Sequence, residues 1–183
     1  PFPLYKRYVY RMEPKGLEAL RWAGIHLVSL ANNHIKDHDS VGIVATLDNL
    51  AKAKLLQVGA GRDAAEARRG QVVTVRGVRV GLLAYLEDSP MHSLYMRSFA
   101  HVRRPGCTRL ELAALRRDIA RLRRHADLVI VMPHWGRSYA GVTFLQKFYG
   151  RALIDAGADA VIGAHPHVHH PVGLYRGKPI LYS

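Results

Sequence analysis

Short β-branched runs alternate along this chain with stretches whose apolar residues recur every three to four positions, and that alternation restricts it to an α/β layering. Residues 14–23 read as a helix with Leu17 and Leu20 on one side and Gly24 as its stop. Residues 25–30 read as a strand, and Ser40 is placed to cap a helix whose buried stripe is Ile43, Leu47 and Leu50. A strand over 55–58 runs into Gly59-Ala60-Gly61, and runs over 72–75 and 78–85 flank an Arg76-Gly77 hairpin turn. Leu112, Leu115, Ile119 and Leu122 share one helix face, followed by a buried strand over 128–132. A helix over 144–156 stops at Gly157, a strand follows over 160–162, and 172–175 pairs with 180–182 around Arg176-Gly177-Lys178. Residues 87–106 lack periodicity and carry His92, His101 and two prolines, which predicts a lid or insertion loop. With 183 residues the chain is long enough for one domain with its own core, so 1–183 is read as a single unit.

The chemistry gathers at three strand ends. The first run breaks into Asn32-Asn33-His34, the run over 128–132 into Pro133-His134-Trp135-Gly136, and the run over 160–162 into Gly163-Ala164-His165-Pro166-His167. In an open parallel sheet the C-terminal strand ends share one edge, where ligands bind, so parallel strands would bring the three loops together. Imidazole nitrogens suit Zn, Mn, Fe or Ni, and an Asn carbonyl oxygen is a harder companion ligand. On extended backbone, His165 and His167 at i and i+2 project to one side and reach one metal or a close pair. Asn33 and His34 point in different directions, one toward a metal and the other toward a substrate.

Plainer roles compete for the same residues. His169-His170 extend a generic His-rich tract, Trp135 suits packing, and His26 suits a core or edge position. A metal pair needs a bridging carboxylate between its charges, and no Asp or Glu reads as sitting at these strand ends. Asp37 and Asp39 follow Asn33-His34 but fit helix capping better. Cys107, after Pro105-Gly106, reads as a bystander in a loop, and as the lone cysteine it excludes an internal disulfide and any thiolate cluster.

Lys plus Arg number 27 against 14 acids, a net charge of +13 that favours anionic partners. Part of that excess, Arg116, Arg117, Arg121, Arg123 and Arg124, lies on what reads as a solvated helix face. No recognition motif or aromatic–basic interleaving accompanies the charge, which places nucleic acid last among partners. No run of eighteen apolar residues is present to span a bilayer. The opening Pro-Phe-Pro-Leu, without Met, and the closing run over 179–183 read as cuts at both ends, which would leave any signal or anchor outside this sequence.

At these residues the chain resembles the CapA (PGA_cap) proteins of bacterial capsule and poly-γ-glutamate synthesis, relatives of the calcineurin-like metallophosphoesterases. The matching segments are residues 29–34, 58–61 and 65–69, His134-Trp135-Gly136, then 155–159 leading into 163–168, and finally 178–183. The resemblance implies a four-layer α/β/β/α sandwich with two divalent ions, Mn, Fe or Zn. Asn33, His134 and His165 would ligate one ion and His167 the other, with His34 the catalytic histidine beside the leaving group. It implies metal-activated water attacking phosphorus in line. It also implies an anionic substrate or polymer as partner, a place in the cell envelope, and association with a membrane-bound capsule-synthesis complex. The family's Asp-bearing and Asn-Leu-Glu motifs, which would supply carboxylates, are absent, as is the closing Leu-Gly-Asn-Phe. Asp37-His38-Asp39 stands where Asp-Tyr-Gly is usual. Three readings follow: a metal-dependent phosphoesterase, a non-catalytic holder of an anionic polymer, and a basic nucleic-acid domain.

Overall fold

The computed structural model describes residues 8–183. Along them run α1 (Gly16–Trp22), β1 (Leu27–Ser29), α2 (Asp39–Lys52), β2 (Leu56–Val58), β3 (Ala60–Gly61), α3 (Ala64–Ala67), β4 (Gln71–Val75) and β5 (Val78–Leu86). There follow β6 (Gly106–Cys107), α4 (Leu112–Arg123), β7 (Leu128–His134), α5 (Phe144–Asp155), β8 (Ala160–Ile162), β9 (Val172–Tyr175) and β10 (Lys178–Leu181). A six-stranded sheet takes the order β4-β5-β7-β8-β10-β9, parallel through β5, β7, β8 and β10 with an antiparallel strand at each edge. β1 and β2 pair in parallel in a second sheet, and β3 pairs with β6.

Period-two alternation decides which side of the large sheet carries the main core. Leu83 and Tyr85 of β5, Val129 and Val131 of β7, Val161 of β8 and Ile180 of β10 bury against Leu115, Ile119 and Leu122 of α4 and Leu153 of α5. The intervening Ala84 and Leu86 face the other way, onto Ala31, Val58 and Ala60. Behind that second sheet, Leu17 of α1 and Leu50 of α2 close a smaller cluster with Leu55. The layering is therefore α/β/β/α, as the resemblance implied. The two sheets approach where side chains are smallest: at Gly59, φ +87°, a Cβ would lie 2.6 Å from that of Ala31 and 2.9 Å from that of Ala84. The Val58-Gly59-Ala60-Gly61 turn is thus a contact that only glycine permits.

The main core also holds a charge. Asp118 of α4 is fully buried between Leu115 and Ile119, where it pairs with Arg68 and Arg121 and accepts the Tyr85 hydroxyl. Burial first, and then the Asp118 charge, holds the Tyr85 phenol well above its ordinary pKa. Arg121 and Arg123 leave the solvated face expected of them, Arg121 for Asp118 and Arg123 for Asp159, while Arg116, Arg117 and Arg124 stay exposed.

Other expectations are corrected. The first strand is shorter than 25–30, and His26 is exposed just ahead of it, with its carbonyl accepting from Leu56 N. Ser40 does not cap α2; the helix begins at Asp39, and the Ser40 hydroxyl accepts from Lys36 Nζ at 2.7 Å. Cys107 lies not in a loop but in β6, fully enclosed, and burial pushes its thiol up to about 12. The irregular segment after β5 contains a π-helical turn, Met91–Tyr95, and packs Met96 and Ser98 inside the body.

Candidate metal centre

β7 and β8 are parallel neighbours, which carries their C-terminal ends to the same edge. The ladder continues past them: Ala164 N donates to Pro133 O and Trp135 N to Ala164 O, both at 3.0 Å, so His134 and His165 are fixed side by side. Their rings lie 4.7 Å apart. β1 belongs to the other sheet, so its loop does not join that edge within one sheet as expected. It arrives across the sandwich, and the Asn33 amide oxygen accepts from His134 Nε2 at 2.9 Å.

His165 and His167 are not on extended backbone. Their φ angles are +106° and +60°, a region non-glycine residues rarely enter, and their rings still meet 5.6 Å apart. Strained backbone of this kind concentrates at functional sites. Between them Pro166 is buried and its carbonyl accepts Tyr139 N at 2.7 Å, while the Tyr139 ring stacks on the exposed His167. Trp135 is a packing residue, as expected, buried and donating from Nε1 to Tyr182 O at 2.9 Å.

Burial, followed by the neighbouring imidazoles of His165, His92, His34 and His167, pushes His134 down to about 3. His165 is lowered for the same reasons, burial first and then the adjacent His167. Both rings are therefore neutral at physiological pH, the state in which an imidazole offers a lone pair. His165 Nδ1 is buried and has no hydrogen-bond partner among the described residues. Among those residues, no three His, Cys, Asp or Glu side chains are close enough to hold an ion by themselves. Asn33, His134 and His165 form a wall shared by two clefts, of about 850 and 800 Å³. One cleft holds Glu87, His92 and Arg137; the other holds Tyr10, His34, Tyr139 and His167.

Two carboxylates at this site go beyond what the sequence pattern points to. Asp37, expected to cap a helix, is buried and accepts from His34 Nδ1 at 2.7 Å and Tyr10 N at 2.8 Å. A carboxylate on Nδ1 fixes the ring's orientation and leaves Nε2 as the basic nitrogen of the neutral tautomer. The i, i+3 spacing of His34 and Asp37 within a turn is the available signal. Glu87 directly follows β5, beside β7, and its carboxylate accepts Gly136 N at 2.6 Å, bracing the loop that carries His134. At Gly136, φ +83°, a Cβ would strike Gln146 at 2.7 Å, so that brace also requires glycine.

Over residues 1–183 the sequence matches the family described as "Bacterial capsule synthesis protein PGA_cap". The chain belongs to that family. It is 38% identical over 97% of its length to a Mycobacterium tuberculosis protein named "Probable polyglutamine synthesis accessory protein Rv0574c". Identity is 32% over 92% of the chain with "PGA biosynthesis protein CapA" of Bacillus subtilis, and 31% over 91% with "Capsule biosynthesis protein CapA" of Bacillus anthracis. The chain spans less than half of each, 49%, 44% and 41% respectively. Among solved structures, a hypothetical protein from Thermus thermophilus superposes with TM-score 0.55 and 23% identity, covering 86% of this chain and 52% of that one. A Staphylococcus aureus structure described as a candidate 5'-nucleotidase gives TM-score 0.54 at 13% identity, over 92% of this chain and 36% of its own. These two likenesses speak for the fold alone. No helix among the described residues is long and apolar enough to cross a membrane.

Proposed function

We propose that this PGA_cap chain carries the histidine part of a metal-dependent phosphoester-cleaving site serving capsule or poly-γ-glutamate synthesis in the cell envelope. The observation that carries the reading is the seam where Asn33, His134 and His165 meet, two of them imidazoles kept neutral by burial, with the His34–Asp37 pair opening on the same cleft.

The donors suit a divalent ion: two neutral nitrogens, one with an orphaned buried Nδ1, and an amide oxygen. Asn33, His134 and His165 would hold one ion, and His167, with its ring against His165, would hold a second. When bound, such ions activate water and neutralise charge at phosphorus. Asp37 holds His34 in register with the cleft, where Nε2 serves proton exchange at the leaving oxygen. Glu87 keeps the His134 loop fixed through Gly136. Tyr139 and Tyr10 also line that cleft.

The test is metal content by mass spectrometry after Mn loading and desalting, for the parent and for His134→Ala/His165→Ala. Metal retained by the parent and lost by the double variant supports the reading. Equal, negligible metal in both sinks it for this chain. In a metal-loaded protein, Asp37→Asn is expected to lower cleavage of a chromogenic phosphodiester about a hundredfold while leaving metal content unchanged.

A second reading rests on the net charge of +13. The protein would hold an anionic polymer without cleaving it. Salt-sensitive polyglutamate binding with no metal-dependent turnover would favour this reading over the first.

A further inference from the structure

A second concavity, of about 340 Å³, lies outside the histidine clefts, between α3, the start of α4 and the segment after the π-helical turn. Its walls carry Arg68, Arg97, Arg104, Arg109 and His101 against a single carboxylate, Glu111. Arg68 is neutralised by buried Asp118, and Arg109 by Asp88. Arg97 and Arg104 form no ion pair among the described residues. Arg104 gives one N–H to Phe99 O, and its Nε is buried with no acceptor among the described residues. Two guanidinium groups without a carboxylate partner leave the concavity with uncompensated positive charge, which an oxyanion bound between them would neutralise. Arg97 sits at φ +50°, so the chain adopts an unfavourable turn at the residue that brings a second guanidinium to the rim.

The basic pocket shares a ridge with the histidine cleft. Asp88 lines the histidine side and Arg109 the basic side, and they meet across the ridge at 2.5 Å. The π-helical turn Met91–Tyr95 straddles it too, with His92 in the histidine cleft and Ser93 in the basic pocket. π-turns recur at functional sites.

We propose that this pocket is an oxyanion-binding subsite, which takes a carboxylate or phosphate of an anionic chain whose neighbouring portion lies in the histidine cleft. The bridging part of this assignment rests on the reading of the histidine cleft given above. The oxyanion site itself stands on its own residues. Guanidinium groups pair with either anion through two parallel N–H bonds, so the probe distinguishes the two sources.

The experiment is calorimetric titration at low ionic strength of the parent, Arg97→Gln/Arg104→Gln, Arg97→Gln alone and His134→Ala/His165→Ala. The probes are a short γ-linked oligoglutamate and inorganic phosphate. The parent is expected to bind at least one of them, and whichever binds names the anion. The Arg97→Gln/Arg104→Gln protein should bind it about tenfold more weakly or worse, whatever the histidine variant does. Arg97 is exposed, so Arg97→Gln will fold even where loss of Arg104 disturbs the segment, and it should show a smaller loss. Binding unchanged in both arginine variants, or absent from the parent for both probes, overturns the proposal. Loss confined to the histidine variant also overturns it, since the anion would then sit at the histidine cluster, and it leaves the reading of that cluster intact. Arginine-dependent binding in a chain that retains no metal upholds the subsite and sinks the metal reading alone.

Discussion

The two facing sheets of this chain are built on different terms. The six-stranded sheet has helices α4 and α5 across one face and a continuous core running from Leu83 to Tyr182. The β1–β2 layer has two three-residue strands and a cluster of three buried leucines, Leu17, Leu50 and Leu55. One layer supplies stability, and the other brings Asn33 and His34 to a surface the first has already made. The candidate site lies at the seam where the thicker layer meets the thinner one.

Core truncation tests that contrast most severely. Leu153→Ala, fully buried in the large layer, is expected to cost about 3–5 kcal/mol in urea unfolding, and Leu50→Ala in the thin layer about 2–3 kcal/mol, because a thinner layer relaxes more readily into the space. Equal losses would break the comparison. Asp118→Asn comes next, at about 2–4 kcal/mol, because it leaves Arg68 and Arg121 without their buried counter-charge. A loss below about 1 kcal/mol would mean that the charges there are solvated.

The seam itself responds to pH. His134 has a folded pKa of about 3 against an ordinary 6.5, so the unfolded chain binds the extra proton between those values. Its contribution to stability is complete above about pH 6.5 and is lost as pH falls toward about 3. In metal-free protein this amounts to about 1–2 kcal/mol by pH 5. His134→Gln should flatten that part of the profile, and an unchanged slope would place the titrating groups elsewhere. The smallest effect belongs to Arg62–Asp48, a half-exposed pair tying the turn after β3 to α2. A double-mutant cycle should give less than about 1 kcal/mol, falling further in high salt, so the thin layer draws little from its surface charges.

Much of this is legible in the residues themselves. The helices over Leu112–Arg123 and Phe144–Asp155 show in their apolar spacing, and Asn33, His134 and His165 show as polar residues placed where strands stop. What escapes is what short strands do not encode. Three apolar residues specify a strand but not its sheet, so the pattern alone puts β1 at the same edge as β7 and β8. Asp37 reads as a cap because its partner His34 is met only when the turn closes. Glu87 is hidden because β5 runs through Leu86 into a segment without period. The left-handed backbone at His165 and His167 leaves no trace, since histidine carries no mark of such a conformation as glycine does.

The hydrogen bond between Asn33 and His134 joins positions 101 residues apart. Contacts at such separation close large loops, and this one needs both sheets in place before it can be made. A chain that lacks everything beyond β5 therefore has Asn33 without the histidine it meets. The histidine seam is in effect a completion mark, present only where both sheets have packed together.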